Sequence, residues 1–278
     1  MPFVNANGVE FFFQRMGAGE PTVVFVHGLV MDNLSSWWYT IANALARQSD
    51  VLCYDLRGHG LSQRPRNGYS VSDSVLDLTN ILSELGIEGP IHIVGNSYGG
   101  VVGLALALER PSMIASLVLV EAHASIDELR SKDKAQLVHG LDLAGVFLDD
   151  DEVNQWLDSV GGRKLNRMAK VAKALIYDTS LADDLRDSPP FTRAQLEQIS
   201  CPTLLIYGEH SDIISRGIVL QELLSNARLE VVKGLDHSVL MGATQFVRTT
   251  ICEWIRDHSV DRGMANSTKS SLLDISKD

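Results

Sequence analysis

Gly95-Asn96-Ser97-Tyr98-Gly99-Gly100 constrains this chain more than any other stretch. A short apolar run, Ile91–Val94, precedes it. A longer run of small and apolar residues, Tyr98–Glu109, follows, with Pro111 just past its end. The first run has the length and β-branching of a strand, and the second reads as a buried helix. The chain must therefore pass from strand to helix across Ser97, with glycine where the two come close. A serine on such a turn sits in a strained backbone conformation. Its hydroxyl stands above the strand end, facing the N–H groups of a helix N-terminus.

The rest of the chain repeats this strand-then-helix rhythm. Further strand-like runs are Val9–Phe13, Thr22–Val26, Val51–Tyr54, Ser116–Val120, Thr203–Tyr207 and Leu229–Val232. Most are continuous rather than alternating, which suits strands buried on both faces of a parallel sheet. Helical patterns fall between them at Trp37–Gln48, Ser72–Leu85, Ser215–Leu224 and Thr244–Asp257. In Ser72–Leu85, Val75, Leu78, Leu82 and Leu85 recur every three or four residues. The expected fold class is α/β, a mostly parallel twisted sheet with helices on both faces.

The rhythm breaks after Glu121. From Ala124 to Gln198 there are helical patterns and no convincing strand, the clearest helix being Lys164–Ile176 with Leu165, Met168, Val171, Ala172 and Leu175 on one side. Residues 1–123 and 199–258 are thus expected to form one core. Residues 124–198 form a helical insertion, and 259–278 a polar, mobile tail. In the insertion, Leu141, Leu143, Val146, Phe147 and Trp156 read mainly as packing residues, and Asp149–Glu152 as a solvated helix start.

Composition narrows the partners. The net charge of −11 argues against nucleic acid and against an anionic membrane surface. No apolar run is long enough to span a bilayer and no signal peptide is visible, so the expected location is cytoplasmic. Cys53, Cys201 and Cys252 lie in or beside apolar runs without a CxxC pair, which favours reduced thiols. No metal-ligand cluster is visible, and no cofactor is expected.

A serine nucleophile needs a base. His237, in the loop just after the last strand-like run, falls at the same sheet edge as Ser97. His92 lies inside a strand, and His123 and His139 belong to the insertion region. The base in turn needs a carboxylate to fix its tautomer. Asp212, in the loop after Thr203–Tyr207, gives the order Ser97, Asp212, His237. Glu121, Glu209 and Asp236 are the competing carboxylates.

With these residues in place, the chain resembles the α/β-hydrolase superfamily, in its capped, esterase-like branch. The resemblance covers roughly Phe3 to Asp257. His27-Gly28-Leu29 resembles the family's oxyanion loop, which implies oxyanion donors at the N–H groups of Leu29 and Tyr98. Asp55-Leu56-Arg57-Gly58-His59-Gly60-Leu61-Ser62 resembles a loop that is structural in the family, so Asp55, Arg57 and His59 are given no catalytic role. The insertion resembles the family's cap. Epoxide hydrolases and haloalkane dehalogenases carry an aspartate where this chain has Ser97. Asn96 resembles the enzymes that cleave carbon–carbon bonds in ring-cleavage products. Their Gly-Pro-Gly loop and the tryptophan after the histidine are here Leu29-Val30-Met31 and Ser238.

The implied activity is hydrolysis of a carboxylic ester, thioester or lactone of a small, partly apolar acyl substrate. An acyltransferase or cyclising enzyme with the same triad, and a non-catalytic ligand-binding hydrolase fold, are the alternatives.

Overall fold

The computed structural model describes residues 2–129 and 162–259. Its centre is one sheet of eight strands, β1 Phe3–Ala6, β2 Val9–Met16, β3 Thr22–Val26, β4 Asp50–Tyr54, β5 Ile91–Asn96, β6 Ile114–Val120, β7 Thr203–Gly208 and β8 Ala227–Val232. The spatial order is β1-β2-β4-β3-β5-β6-β7-β8. β1 and β2 run antiparallel to their neighbours, and every pairing from β4 to β8 is parallel. β1 has no counterpart among the expected strands. It is a short edge strand registered on β2 through Phe3 and Phe12.

The helices follow in chain order. Residues 35–45 form α1, whose middle, Trp38–Ala42, is π-wound. Next come α2 Val71–Glu84 and α3 Tyr98–Glu109, then α4 Gly162–Tyr177, α5 Leu181–Asp187 and α6 Arg193–Leu196. The chain closes with α7 Ile214–Leu223, α8 Val239–Gly242 and α9 Thr244–His258.

The continuous apolar strands split into two cores, because successive side chains point to opposite faces. Val24, Val26, Ile93, Leu117, Leu119, Leu205 and Tyr207 face one core, which α2, α3 and α7 cover. Val23, Phe25, Val94, Val118, Val120, Leu204 and Ile206 face the other, covered by α1 and α9. α3 is apolar all round and buried along nearly its whole length, as its composition requires. α2 begins with a capping box, Ser70 with Asp73.

Between β6 and β7 the regular elements among the described residues are helices, apart from a single bridge, Ile126 to Phe191. Ala169, Ala172, Leu175 and Ile176 of α4 join the core on the α2 side. This segment is also tied to the loop after β4: Ser180 N–H donates to the Arg66 carbonyl at 2.8 Å, and Tyr69 N–H to Asp184 Oδ2 at 2.7 Å. Leu141, Leu143, Val146, Phe147, Trp156 and the acidic run Asp149–Glu152 lie outside the described residues. So do the side chain of Leu165 and the tail beyond Ser259.

Candidate active site

The parallel strands β3, β5, β6 and β7 all end at one edge of the sheet, and the candidate residues collect there. Asn96, the last residue of β5, pairs with Val120, the last of β6. Ser97 and Glu121 are therefore next-door neighbours, each one residue past a strand end.

Ser97 has φ +51 and ψ −111, a conformation that L-residues rarely adopt and that costs about 1–3 kcal/mol. Three hydrogen bonds hold it. Its N–H donates to the Val120 carbonyl at 2.9 Å, while its own carbonyl accepts from Gly100 N–H at 3.1 Å and His123 N–H at 3.2 Å. The flanking glycines are sterically required. A Cβ on Gly95 would overlap the Gly99 carbonyl, and one on Gly99 would overlap the Val26 carbonyl. Tyr98 opens α3, so its N–H has no partner within the helix. Its side chain is buried and its hydroxyl meets Ser74 Oγ at 2.8 Å, fixing the start of the helix.

The loop after β3 packs over this turn. A Cβ on Gly28 would lie 3.4 Å from both Ser97 Cβ and Asn96 Nδ2, so the loop that carries Leu29 passes close to Ser97. The loop is braced from the 55–62 segment. His27 Nε2 accepts from Leu56 N–H at 2.9 Å, and His59 Nε2 accepts from Val30 N–H at 2.8 Å. Nδ1 of His59 faces the Arg57 carbonyl at 2.8 Å and must carry the proton there. Burial, with the neighbouring His27, lowers the His59 pKa to about 3, so the ring is neutral. Val30 itself has φ +67, which a β-branched residue adopts only when its surroundings impose it. Asp55 accepts from Leu34 and Leu61 N–H groups, each at 2.8 Å, and Arg57 grips Asp77 through two bonds at 2.6 and 2.8 Å. These three residues act as struts.

His237 is carried by the loop after β8. Gly208 lets that loop approach, because a Cβ there would overlap the carbonyls of Leu235 and Asp236. His210 N–H then clasps the Leu235 carbonyl at 2.8 Å. The imidazole, 43% exposed, places Nδ1 2.9 Å from Glu121 Oε2, and the Glu121 side chain is fully buried. Glu121 Oε1 accepts from Gly208 N–H at 2.5 Å, and Oε2 also accepts from Ser211 Oγ at 2.6 Å.

This geometry corrects one expectation. The carboxylate on His237 is Glu121, and Asp212 is solvent-exposed. The cause is the direction of two chain segments. Glu121 leaves β6 with φ +50 while its N–H stays bonded to the Ile206 carbonyl at 2.9 Å, so its side chain runs inward along the sheet edge. The loop after β7 turns so that Ser211 points inward, 4% exposed, and the next residue points out. The other carboxylates are engaged locally: Glu209 accepts from Gly234 N–H, and Asp236 from Ser238. The signal for Glu121 in the sequence is an acid placed directly at the end of an apolar buried strand. The signal for Ser211 is weaker, a lone hydroxyl in a polar loop.

His123 lies beside the pair, its ring edge-on to that of His237 with centroids 6.2 Å apart. Burial first, then the charge of Arg216 and the nearness of His237, lower its pKa to about 3. Among the described residues no cluster of His, Cys, Asp or Glu could hold a metal ion, and no helix is long and apolar enough to cross a membrane.

A strained serine at a strand-to-helix turn, on a mostly parallel eight-stranded sheet, defines a class, and the chain has the α/β-hydrolase fold. Residues 21–144 match the family model for the alpha/beta hydrolase fold. The chain is 26% identical over 232 residues to 2-hydroxy-6-oxo-6-(2'-aminophenyl)hexa-2,4-dienoic acid hydrolase of Metapseudomonas resinovorans, covering 76% of this chain and 75% of the relative. It is 33% identical over 186 residues to 2-hydroxy-6-oxo-2,4-heptadienoate hydrolase of Pseudomonas putida, covering 65% of this chain and 58% of the relative. In fold it is similar to the enol-lactonase of Burkholderia xenovorans, with a TM-score of 0.69 and 21% identity over 92% of this chain and all of that one. These curated relatives are hydrolases of small molecules.

Proposed function

We propose that this protein is a serine hydrolase acting on small carboxylic esters, thioesters or lactones, with Ser97 as nucleophile, His237 as base and Glu121 as the acid. The observation that carries the reading is the 2.9 Å hydrogen bond from His237 Nδ1 to the buried Glu121 carboxylate, one strand over from the strained Ser97. With Nδ1–H donated to Glu121, Nε2 carries the lone pair. It takes the Ser97 proton as Oγ attacks the acyl carbonyl. The N–H groups of Leu29 and Tyr98 hold the oxyanion, and each contributes about 3 kcal/mol to the transition state. The imidazolium then protonates the leaving alcohol or thiol. Water, deprotonated by the same nitrogen, frees the acid and restores Ser97. Glu121 stays ionised throughout and stabilises the imidazolium. The helices between β6 and β7, docked on the loop after β4, are taken as part of a cap over this edge.

A second reading rests on Asn96. Its Nδ2 lies against Gly28, in the loop that carries Leu29. Two relatives are hydrolases of 2-hydroxy-6-oxo-dienoic acids, and the same centre could attack such a ketone and release a carbon leaving group.

The test is fluorophosphonate labelling with intact-mass readout on the native chain and on Ser97→Ala. Both are also assayed on p-nitrophenyl acetate and butyrate and on a 2-hydroxy-6-oxo-dienoate. One adduct that the alanine variant lacks, with ester turnover, is the expected result. Turnover of the dienoate alone favours the second reading. A folded native chain that is neither labelled nor active defeats both.

A further inference from the structure

We propose that Ser211 is a positioning residue of this centre, whose hydroxyl aims and moderates the Glu121 oxygen that faces His237. The inference rests on the triad reading above and extends it to a residue that never touches substrate.

Glu121 Oε2 receives two hydrogen bonds, from His237 Nδ1 at 2.9 Å and from Ser211 Oγ at 2.6 Å. A hydroxyl has a single proton to give. The carboxylate is acceptor-only when ionised, so that proton lies on the Glu121 side. Ser211 is itself held on both sides. Its N–H donates to the Gly208 carbonyl at 3.2 Å, its Oγ accepts from Ile213 N–H at 3.3 Å, and its carbonyl accepts from Ile214 N–H at 3.2 Å. The donor therefore sits on a fixed turn. The partner oxygen, Oε1, is held by Gly208 N–H at 2.5 Å. Both oxygens of Glu121 are thus tethered to the end of β7 and the loop after it, while the residue's backbone directly follows β6.

This matters because a glutamate is long. Without its tethers the side chain has three torsions along which to turn from the imidazole. The loop after β7 orients the acid of β6 by a hydroxyl in place of supplying a carboxylate of its own. The hydroxyl has a second effect. A charge-assisted bond draws electron density from Oε2, so the carboxylate pulls less strongly on a protonated His237. Removing it leaves an acid that is less well aimed but more negative toward the ring. The charged and titratable groups around the pair are Tyr207 in β7, His123 two residues past Glu121, Arg216 on α7 and Asp236 in the histidine loop. The substitutions below leave all four in place.

The experiment uses the full chain with Ser211→Ala and Ser211→Thr, each checked by its urea-unfolding midpoint. Turnover of p-nitrophenyl butyrate is measured from pH 5 to 9, beside the fluorophosphonate labelling rate. The low-field proton NMR signal of the His237 Nδ1–H is recorded on the same samples. Ser211→Ala is expected to lower kcat about 10-fold with little change in KM. Its acidic limb in kcat/KM should move up by about half a pH unit. The Nδ1–H signal should weaken through faster exchange. Ser211→Thr, which keeps the hydroxyl, is expected to restore all three. A folded Ser211→Ala with native kcat, pH profile and Nδ1–H signal overturns the proposal. So does an equal loss in alanine and threonine variants, or a loss confined to KM. If the native chain itself is neither labelled nor active, the triad reading has failed and this inference goes with it. The native labelling lane separates that case from a failure of Ser211 alone.

Discussion

The two halves of the candidate site are built differently. The nucleophile half comes from short contiguous stretches. Gly95 and Gly99 leave room for a turn that side chains there would block, Ser97 sits strained at its apex, and the His27–Val30 loop packs over it. The acid half comes from three segments far apart in sequence, Glu121, Gly208–Ser211 and His237, which meet only once the sheet has formed. Backbone conformation at a tight turn is a local property, written in the residues of the turn. The choice of one carboxylate among several within reach of an imidazole is a property of the assembled sheet edge.

The largest test of this contrast is Glu121→Gln. The amide keeps the shape but can present an N–H to His237, so the ring takes the wrong tautomer. The expected loss in kcat/KM is about 10³- to 10⁴-fold, by analogy with the loss on neutralising the buried aspartate of the serine-protease triad. Steady-state kinetics on a p-nitrophenyl ester reads it. A loss under about 10-fold would mean that another carboxylate orients His237.

On the nucleophile half the corresponding break is in stability. Gly99→Ala puts a methyl group into the Val26 carbonyl, where backbone meets backbone and no side chain can swing aside. Urea unfolding is expected to show a loss of about 3 kcal/mol or more. A variant as stable as the native chain would mean that strand and helix can separate here, against the contact that the glycine permits.

The contrast also explains what could be read beforehand. The strand-to-helix turn at Ser97 and seven of the eight strands are marked by turn glycines and by apolar runs, both local signals. β1, four residues long, is too short to stand out, since Phe3 and Val4 acquire meaning only when paired with β2. The acid was ambiguous for a physical reason. Glu121, Glu209, Asp212 and Asp236 all follow strands at the same edge. The deciding facts are the positive φ of Glu121 and the inward turn of Ser211, neither of which a sequence displays. The structural reading of Asp55, Arg57 and His59 came from resemblance. The structure adds its cause: His59 and Asp55 bond the loop after β3, and Arg57 ties the same segment to Asp77 on α2.

Those braces carry a pH dependence, and His123 beside the acid half, lowered to about 3, adds to it with the same sign. Burial holds the His59 pKa at about 3, against about 6.5 in the unfolded chain. The unfolded state therefore binds more protons below pH 6.5, and stability is lost as pH falls from there toward 3. His92, lowered to about 4, acts with the same sign. The raised pKa values of Asp55 and Asp77, caused chiefly by burial, act with the opposite sign. Between pH 7 and pH 5 the His59 contribution is about 2 kcal/mol. Urea midpoints across that interval should fall in the native chain and fall less in His59→Gln. Equal slopes would show that His59 does not titrate on unfolding as its burial requires.

The smallest expected effect bears on the comparison most directly. Asp212→Asn should change kcat/KM by less than about 2-fold, because an exposed carboxylate contributes only a screened field at the imidazole. The end of β7 and the loop after it take part through the Gly208 N–H and Ser211, and both survive the substitution. If Asp212→Asn instead costs 100-fold while Glu121→Gln costs little, the loop must rearrange when substrate binds, turning Asp212 inward and releasing Glu121. The acid half would then be a switch between two carboxylates. If both substitutions cost heavily, the two acids act in sequence on one imidazole. A negligible effect at Asp212 with a large one at Glu121 leaves the acid where the sheet edge has built it, at the end of β6.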